Sequence, residues 1–146
     1  MATAERPINF IVSPANSHGL MDGGIDLVYC RMFPGIDKKV REAIHEEYPD
    51  THLLPIGRCL VVPITNMRRH NPPCVKAMIS FLTMVVPSDI RDTDNIYQAM
   101  RGLLTFLKRH QKKGIILRVV IPGLGTTTGR VPFDESARQI LQALNE

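Results

Sequence analysis

The sequence predicts an α/β protein, in which a sheet of buried strands is covered by helices on both faces. Continuous apolar runs, typical of strands buried on both faces, alternate with segments whose apolar residues recur at helical spacing. The predicted order is strand, helix, helix, strand, strand, helix, strand, helix. Because 146 residues is the usual length of one domain, we assign residues 1–146 to a single unit.

The first half of the chain contains two predicted strands and two predicted helices. Residues 8–13 form an apolar run and predict a buried strand. Apolar spacing predicts helices over residues 25–33 and 37–48, each followed by a proline. Residues 60–64 predict the next strand, and Pro63 favours an end or edge position because proline cannot donate a hydrogen bond within a sheet.

The second half predicts at least one central strand within residues 75–86 and another strand over 115–121, which is rich in β-branched residues. Between them, residues 92–110 give the clearest helical pattern, with Thr93 or Asp94 able to cap its start. A last helix begins at Pro132, and the residues expected to face the core are Ala137, Ile140, Leu141 and Leu144.

The composition is that of a globular domain, with 44% hydrophobic and 22% charged residues, which argues against disorder, collagen and coiled coil. Since no apolar run approaches the ~20 residues that span a bilayer, we expect no membrane segment. Residues 1–7 lack the apolar centre of a signal peptide. Three cysteines are too few for a disulfide scaffold, which favours the cytoplasm or another reducing intracellular compartment.

The net charge of +4 arises in the second half, which has 10 basic and 6 acidic residues against 8 of each in the first half. Lys108, Arg109, Lys112 and Lys113 surround the end of a predicted helix, where cations complement the helix dipole. No aromatic residues interleave with these lysines, which argues against a nucleic-acid partner. A moderately basic domain still attracts an anionic nucleotide or phosphodiester.

Two glycine-containing loops, residues 16–26 and 123–130, each follow a predicted strand and lead into a helix. Ligands of α/β sheets bind at the carboxyl ends of strands, and backbone N–H groups at helix starts attract phosphate. Two such loops suit a diphosphate better than one phosphate. The second loop lacks the Gly-Lys-Ser/Thr of a P-loop, and the first lacks the third glycine of the dinucleotide fingerprint.

The residues of these loops resemble the macro-domain family. Ile-Val-Ser-Pro-Ala-Asn-Ser over residues 11–17 and Gly-Gly-Ile-Asp over 23–26 are similar to its Val-Asn-Ala-Ala-Asn-Ser and Gly-Gly-Val-Asp signature, in the form of a bacterial and phage subgroup with Met-Asp-Gly-Gly-Ile-Asp. Residues 121–126 resemble its second phosphate loop. The resemblance extends from Ile8 to the last helix. It implies a three-layer α/β/α sandwich around a mixed sheet, and binding of ADP-ribose or an ADP-ribosylated protein.

The resemblance also implies roles for individual residues, with no metal and no cofactor. Asn16 matches the residue beside the distal ribose, and Asp26 matches the acid with which hydrolytic members orient or activate water. The residues expected to contact the ligand are Ser17, Asp22, Gly23, Gly24, Ile25, Gly123, Leu124, Gly125, Thr126, Thr127, Thr128 and Gly129.

Side-chain chemistry supports these roles in part. The Asn16 amide suits a ribose hydroxyl, and a carboxylate can take a proton from water attacking an anomeric carbon. Asp26 lies near a helix start, where its charge is stabilised and its pKa need not rise. Simpler roles stay open: Asn16 bracing a turn, Asp26 capping its helix, and Asp22 forming a turn rather than serving as a second acid.

The sequence departs from the family at both ends and at one loop. Only seven residues precede Ile8, so the family's first strand and its adenine-reading aspartate have no place, and no strand follows the last helix. We therefore expect the sheet to be shortened at one edge, leaving residues 115–121 exposed and paired with a second copy or covered by a partner. Threonines occupy the tip of the second loop, where relatives often carry an aromatic residue that stacks on the distal ribose.

Other candidate sites have weaker support. His70 and Cys74 lack the second pair of ligands that a zinc site needs, and Cys30 is expected in the core. The sequence therefore predicts an ADP-ribose-binding domain that hydrolyses the glycosidic or ester linkage of ADP-ribose. The alternatives are a reader that binds ADP-ribose without cleaving it, and a module for another nucleotide or nucleic acid.

Overall fold

A computed structural model describes residues 8–14, 18–64, 67 and 75–146 of the chain. Within them, four strands and four helices follow one another in the predicted order. Their bounds are β1 Ile8–Ser13, α1 Gly24–Met32, α2 Ile36–Glu47, β2 Cys59–Pro63, β3 Val75–Phe81, α3 Asn95–His110, β4 Leu117–Val120 and α4 Phe133–Leu144.

The four strands form one mixed sheet in the order β2-β3-β1-β4. β1 runs parallel to β3 and β4, with Phe10 aligned to Ala77 on one side and to Val119 on the other, whereas β2 is antiparallel to β3. The carboxyl ends of β1, β3 and β4 therefore meet at one end of the sheet. β2 is an edge strand, as Pro63 predicted, and β4 is the opposite edge among the described residues.

Helices cover both faces of the sheet, which confirms the three-layer α/β/α sandwich. Val12 and Ile79 point to the face of α3, where Leu103 is fully buried with them in one hydrophobic core. Met78 points to the opposite face, where it shares a second core with Ile44 of α2. Strand residues alternate between the two faces, so the sheet separates two cores.

The prediction for α4 is wrong in its orientation. Leu141 and Leu144 are 56% and 51% exposed, Ala137 is also exposed, and Ile140 is half-buried. The buried residues are instead Ser136, Gln139 and Ala143.

Hydrogen bonds to neighbouring segments explain this orientation. The Ser136 hydroxyl donates to the Leu124 carbonyl at 2.8 Å. The Gln139 amide nitrogen donates to the Thr93 carbonyl at 2.9 Å, and its amide oxygen accepts from the Tyr97 backbone N–H at 3.0 Å. Buried polar groups need such partners, so two polar residues take the inward face and turn part of the apolar stripe outward.

Candidate functional site

A cleft of about 410 Å³ opens where β1, β3 and β4 end, and both glycine-containing loops line it. The sequence placed these loops at strand ends, and the parallel arrangement brings them face to face. Predicted ligand-binding or catalytic residues that line the cleft are Asp22, Gly23, Gly24, Ile25, Asp26, Gly123, Gly125, Thr126, Thr127, Thr128 and Gly129.

Three other predicted site residues need separate description. Asn16 and Ser17 lie outside the described residues. The Leu124 side chain is fully buried in the core on the α3 side of the sheet. Leu124 therefore anchors the second loop, and only its backbone is available to a ligand.

Asp26 is a buried carboxylate at the side of the cleft. It lies in the first turn of α1 and is only 6% exposed. Its Oδ1 accepts a hydrogen bond of 2.6 Å from the hydroxyl of Ser13, the last residue of β1. This bond joins the strand to the helix and fixes the carboxylate at the junction of the two elements.

Burial raises the pKa of Asp26 from 3.8 to about 6. The hydrogen bond from Ser13 opposes the increase, and the nearby charge of Asp22 adds to it. The expectation that the helix start would keep this pKa low is wrong, because desolvation of the charged form outweighs the favourable interactions. Asp26 is therefore ionised in most molecules at pH 7 and can take up a proton just below neutrality.

The position of Asp26 also bears on the alternative role of helix cap. The N-cap residue of α1 is Gly23, in an extended conformation and without a side-chain capping bond. The hydrogen bond described for the Asp26 carboxylate goes to Ser13 of the strand. This geometry favours a carboxylate held toward the cleft over one that closes the helix end.

The second loop is a tight turn in which Gly125 and Gly129 occupy positions that disfavour a side chain. Gly125 has φ +67°, and Val131 N–H donates to its carbonyl at 2.9 Å. A Cβ on Gly129 would lie 2.6 Å from that same carbonyl oxygen. Ile90 N–H donates to the Gly129 carbonyl at 2.9 Å, which attaches the loop to the segment before α3. The loop is thus preorganised by the protein itself.

Unpaired backbone donors lie on two sides of the cleft. In the described part of the chain, the N–H groups of residues 124–128 have no acceptor. The first N–H groups of α1, over residues 24–26, are likewise free of intrahelical bonds, as at any helix start. A Cβ at Gly23 or Gly24 would meet no atom within 4 Å, so this side of the cleft is open. Such facing sets of donors suit an anion.

A third loop, which the sequence did not predict as part of the site, also contributes to the cleft. Thr83, Met84 and Pro87, which follow β3, line the cleft together with residues of the two glycine-containing loops. The Thr83 carbonyl accepts a hydrogen bond of 2.8 Å from the Asn95 side chain, which joins this loop to the start of α3. The sequence did predict a strand within residues 75–86, and so a loop after it. The position of that strand beside β1 depends on tertiary structure, so the loop could not be assigned to the site.

The cysteines of the described part are unsuited to nucleophilic chemistry. Burial raises the pKa of the Cys30 thiol, which contacts the Met21 carbonyl at 3.5 Å, and raises the pKa of Cys59 to about 12. No cluster of three or more His, Cys, Asp or Glu side chains that could hold a metal occurs among the described residues. His70 and Cys74 lie outside them. No described helix is long and apolar enough to cross a membrane.

Comparison with known proteins agrees with this architecture. An uncharacterized protein of Aquifex aeolicus (strain VF5) is 30% identical over 136 residues, which is 93% of this chain and 72% of that protein. Among solved structures, the macrodomain of Mycobacterium tuberculosis DarG has TM-score 0.72 and 19% identity over 97% of this chain and 84% of its own. The Oceanobacillus iheyensis macrodomain with ADP has the same TM-score and identity, over 97% and 70%.

Thermosipho africanus DarTG in complex with ADP-ribose matches with TM-score 0.68 and 15% identity, over 93% of this chain and 35% of its own. The profile of the Macro domain family matches residues 12–140. The match includes both glycine-containing loops, the first three helices and the first eight residues of α4. The chain therefore belongs to the Macro domain family.

Proposed function

We propose that the chain binds ADP-ribose in this cleft and hydrolyses the bond between ADP-ribose and a modified group. The observation that carries the proposal is a buried carboxylate, Asp26, beside two facing sets of backbone N–H donors. The family membership and the ADP-ribose bound to Thermosipho africanus DarTG support the choice of ligand.

The diphosphate is held mainly by backbone groups in this proposal. The described residues that line the cleft include no lysine or arginine, so the N–H groups of residues 124–128 and of the first turn of α1 supply the positive end of each interaction. The hydroxyls of Thr126, Thr127 and Thr128 add donors at the tip of the loop. Asn16 positions the distal ribose next to Asp26.

Asp26 orients and activates the water in the proposed reaction. Its carboxylate accepts a proton as the water oxygen forms a bond to the anomeric carbon of the distal ribose. The bond from that carbon to the leaving oxygen breaks, the leaving oxygen takes up a proton from solvent, and Asp26 returns to solvent the proton that it received from the attacking water. A pKa of about 6 leaves the carboxylate basic at pH 7 and able to release the proton again.

Two measurements test the proposal. Calorimetry with ADP-ribose measures binding, and release of ADP-ribose from an ADP-ribosylated protein measures hydrolysis. Asp26→Asn should abolish release and retain most of the binding. Binding without release by the unmodified protein would identify a reader, and absence of binding would refute both functions.

We also infer that the β4 edge pairs with a second copy of the chain. Among the described residues β4 pairs only with β1, and Val120 is 64% exposed. An antiparallel pair of β4 strands about a twofold axis places residues of the same face opposite each other. If the twofold axis passes beside Val119, Arg118 of one strand lies opposite Val120 of the other. If it passes beside Arg118, the two copies of Arg118 lie opposite each other and repel. The first register is the favourable one.

A further inference from the structure

A second concave surface lies between α3 and the residues that begin β2. It encloses about 550 Å³ and shares no lining residue with the cleft. In the part of the chain that the structure describes, three arginines line it, Arg58, Arg101 and Arg109, and no carboxylate does. We call this surface the basic groove, defined by these arginines together with Tyr97, Phe106 and His110.

Contact between two glycines builds the basic groove. Gly57, with φ +85°, packs against the middle of α3 so closely that a Cβ on Gly102 would overlap the Gly57 carbonyl oxygen. The loop before β2 therefore lies directly on the helix backbone. This contact sets Arg58 beside Arg101 and Arg109 of a helix that is distant in the sequence.

The donors of α3 repeat along the groove at four-residue intervals. Arg101, Thr105 and Arg109 line it in succession, and each step advances about 6 Å along the helix axis. Regularly spaced cationic and hydroxyl donors match a ligand with a repeating anionic group better than one with a single phosphate.

The positive charge of the groove is largely uncompensated. Arg101 approaches Glu146 at 3.5 Å, but both side chains are well exposed, so the pair is weak. Arg58 and Arg109 are exposed and form no salt bridge with any described residue. The groove therefore presents unneutralised guanidinium groups along its length, which attract a polyanion.

Aromatic rings lie among these arginines, although none interleaves with the neighbouring lysines in the sequence, the observation that argued against a nucleic-acid partner. The rings of Phe106 and His110 are stacked with centroids 4.1 Å apart, and Tyr97 lines the groove nearer the start of the same helix. Proteins bind single-stranded nucleic acids in concave grooves that combine arginines with aromatic rings on which bases stack. They recognise a duplex by inserting a helix or strands into one of its grooves. We propose that the basic groove binds the phosphodiester backbone of a single-stranded nucleic acid, independently of the ADP-ribose cleft.

This proposal is tested by fluorescence anisotropy with a labelled oligothymidylate of about 12 nucleotides. Three arginine contacts predict a slope of about −2 for the logarithm of affinity against the logarithm of salt concentration. The double variant Arg58→Gln/Arg109→Gln should bind about tenfold more weakly at low salt and lose more than half of that slope. Lys38→Gln, which removes one charge on the exposed face of α2, should change little.

ADP-ribose binding by the same variants separates the two sites. The double variant should keep the affinity of the unmodified protein for ADP-ribose, and saturating ADP-ribose should leave the oligonucleotide bound. Displacement of the oligonucleotide by ADP-ribose would place it in the cleft and overturn the proposal. Equal oligonucleotide affinity of the double variant, or competition by thymidine monophosphate as strong as by the oligonucleotide, would overturn it as well.

Discussion

Neutralising Asp26 should stabilise the protein while it abolishes the proposed hydrolysis. Ionised Asp26 is destabilising in the folded chain, because burial raises its pKa from 3.8 to about 6. At 1.36 kcal/mol per pH unit, this difference corresponds to about 3 kcal/mol at pH 8, an upper limit for the gain in Asp26→Asn. The amide oxygen can still accept the hydrogen bond from Ser13.

The sign of the effect follows from proton binding. Between pH 4 and 6 the unfolded chain loses the proton of Asp26 while the folded chain retains it, so the stability of the unmodified protein falls as pH rises. The contribution is fully present below pH 3.8 and is lost as pH rises through about 6. Asp26→Asn lacks this dependence, so its advantage should appear between pH 4 and 6 and stay constant above.

Thermal unfolding at pH 4, 6 and 8 measures this prediction. A gain of about 1–3 kcal/mol at pH 8 raises the melting temperature by roughly 3–10 °C for a domain of this size. Asp50→Asn, in the exposed turn after α2, makes the same chemical change without the gain. A variant no more stable than the unmodified protein at pH 8, or a gain equal at all three pH values, would show that the helix start stabilises the charge after all.

Three further predictions concern the same site and the sheet edge. Activity should fall on the acid side with a midpoint near pH 6, where Asp26 becomes protonated. Ser13→Ala should move this midpoint to higher pH, because the hydrogen bond from Ser13 lowers the pKa of Asp26 and the variant lacks it. An unchanged midpoint would assign the titration to another group. Gly123→Asp should weaken ADP-ribose binding, measured by calorimetry, at least about tenfold more than Gly123→Asn does, because aspartate and asparagine have the same shape but only aspartate adds a negative charge beside the diphosphate. Equal losses of affinity would contradict binding of the diphosphate by the backbone N–H groups of this loop. Light scattering should find that the unmodified protein is a dimer. Val120→Lys should dissociate it, because the new lysine lies opposite Arg118 of the second copy, whereas Val28→Lys, at an exposed position of α1, should leave the dimer intact. An unmodified protein that stays monomeric at high concentration would refute edge pairing.

The order of elements could be predicted from the sequence because it depends on local patterns. Apolar runs mark strands, helical spacing marks helices, and prolines and glycines mark their ends, so each element is found without knowledge of its neighbours. Pro63 even indicated an edge strand, since a missing N–H group is a property of one residue. The two glycine-containing loops were identified in the same way.

The orientation of α4 and the pKa of Asp26 could not be predicted from local patterns. The apolar stripe of α4 predicted a buried Leu141, but hydrogen bonds from Ser136 and Gln139 to distant segments set the helix's rotation. Proximity to a helix start predicted an ordinary acid at Asp26, whereas its pKa depends on how many other segments exclude water from it.

The family, the three layers and the two loops could be inferred from the amino-acid sequence, because short motifs and periodicity depend on residues close together in the chain. Tertiary structure alone decided that the loop after β3 completes the cleft, that Ser13 holds Asp26, and that Arg58 joins the arginines of α3. The physical reason is the same in each case. Burial, hydrogen bonding and the summed electric field depend on distances between residues far apart in the chain, which only the packed fold fixes.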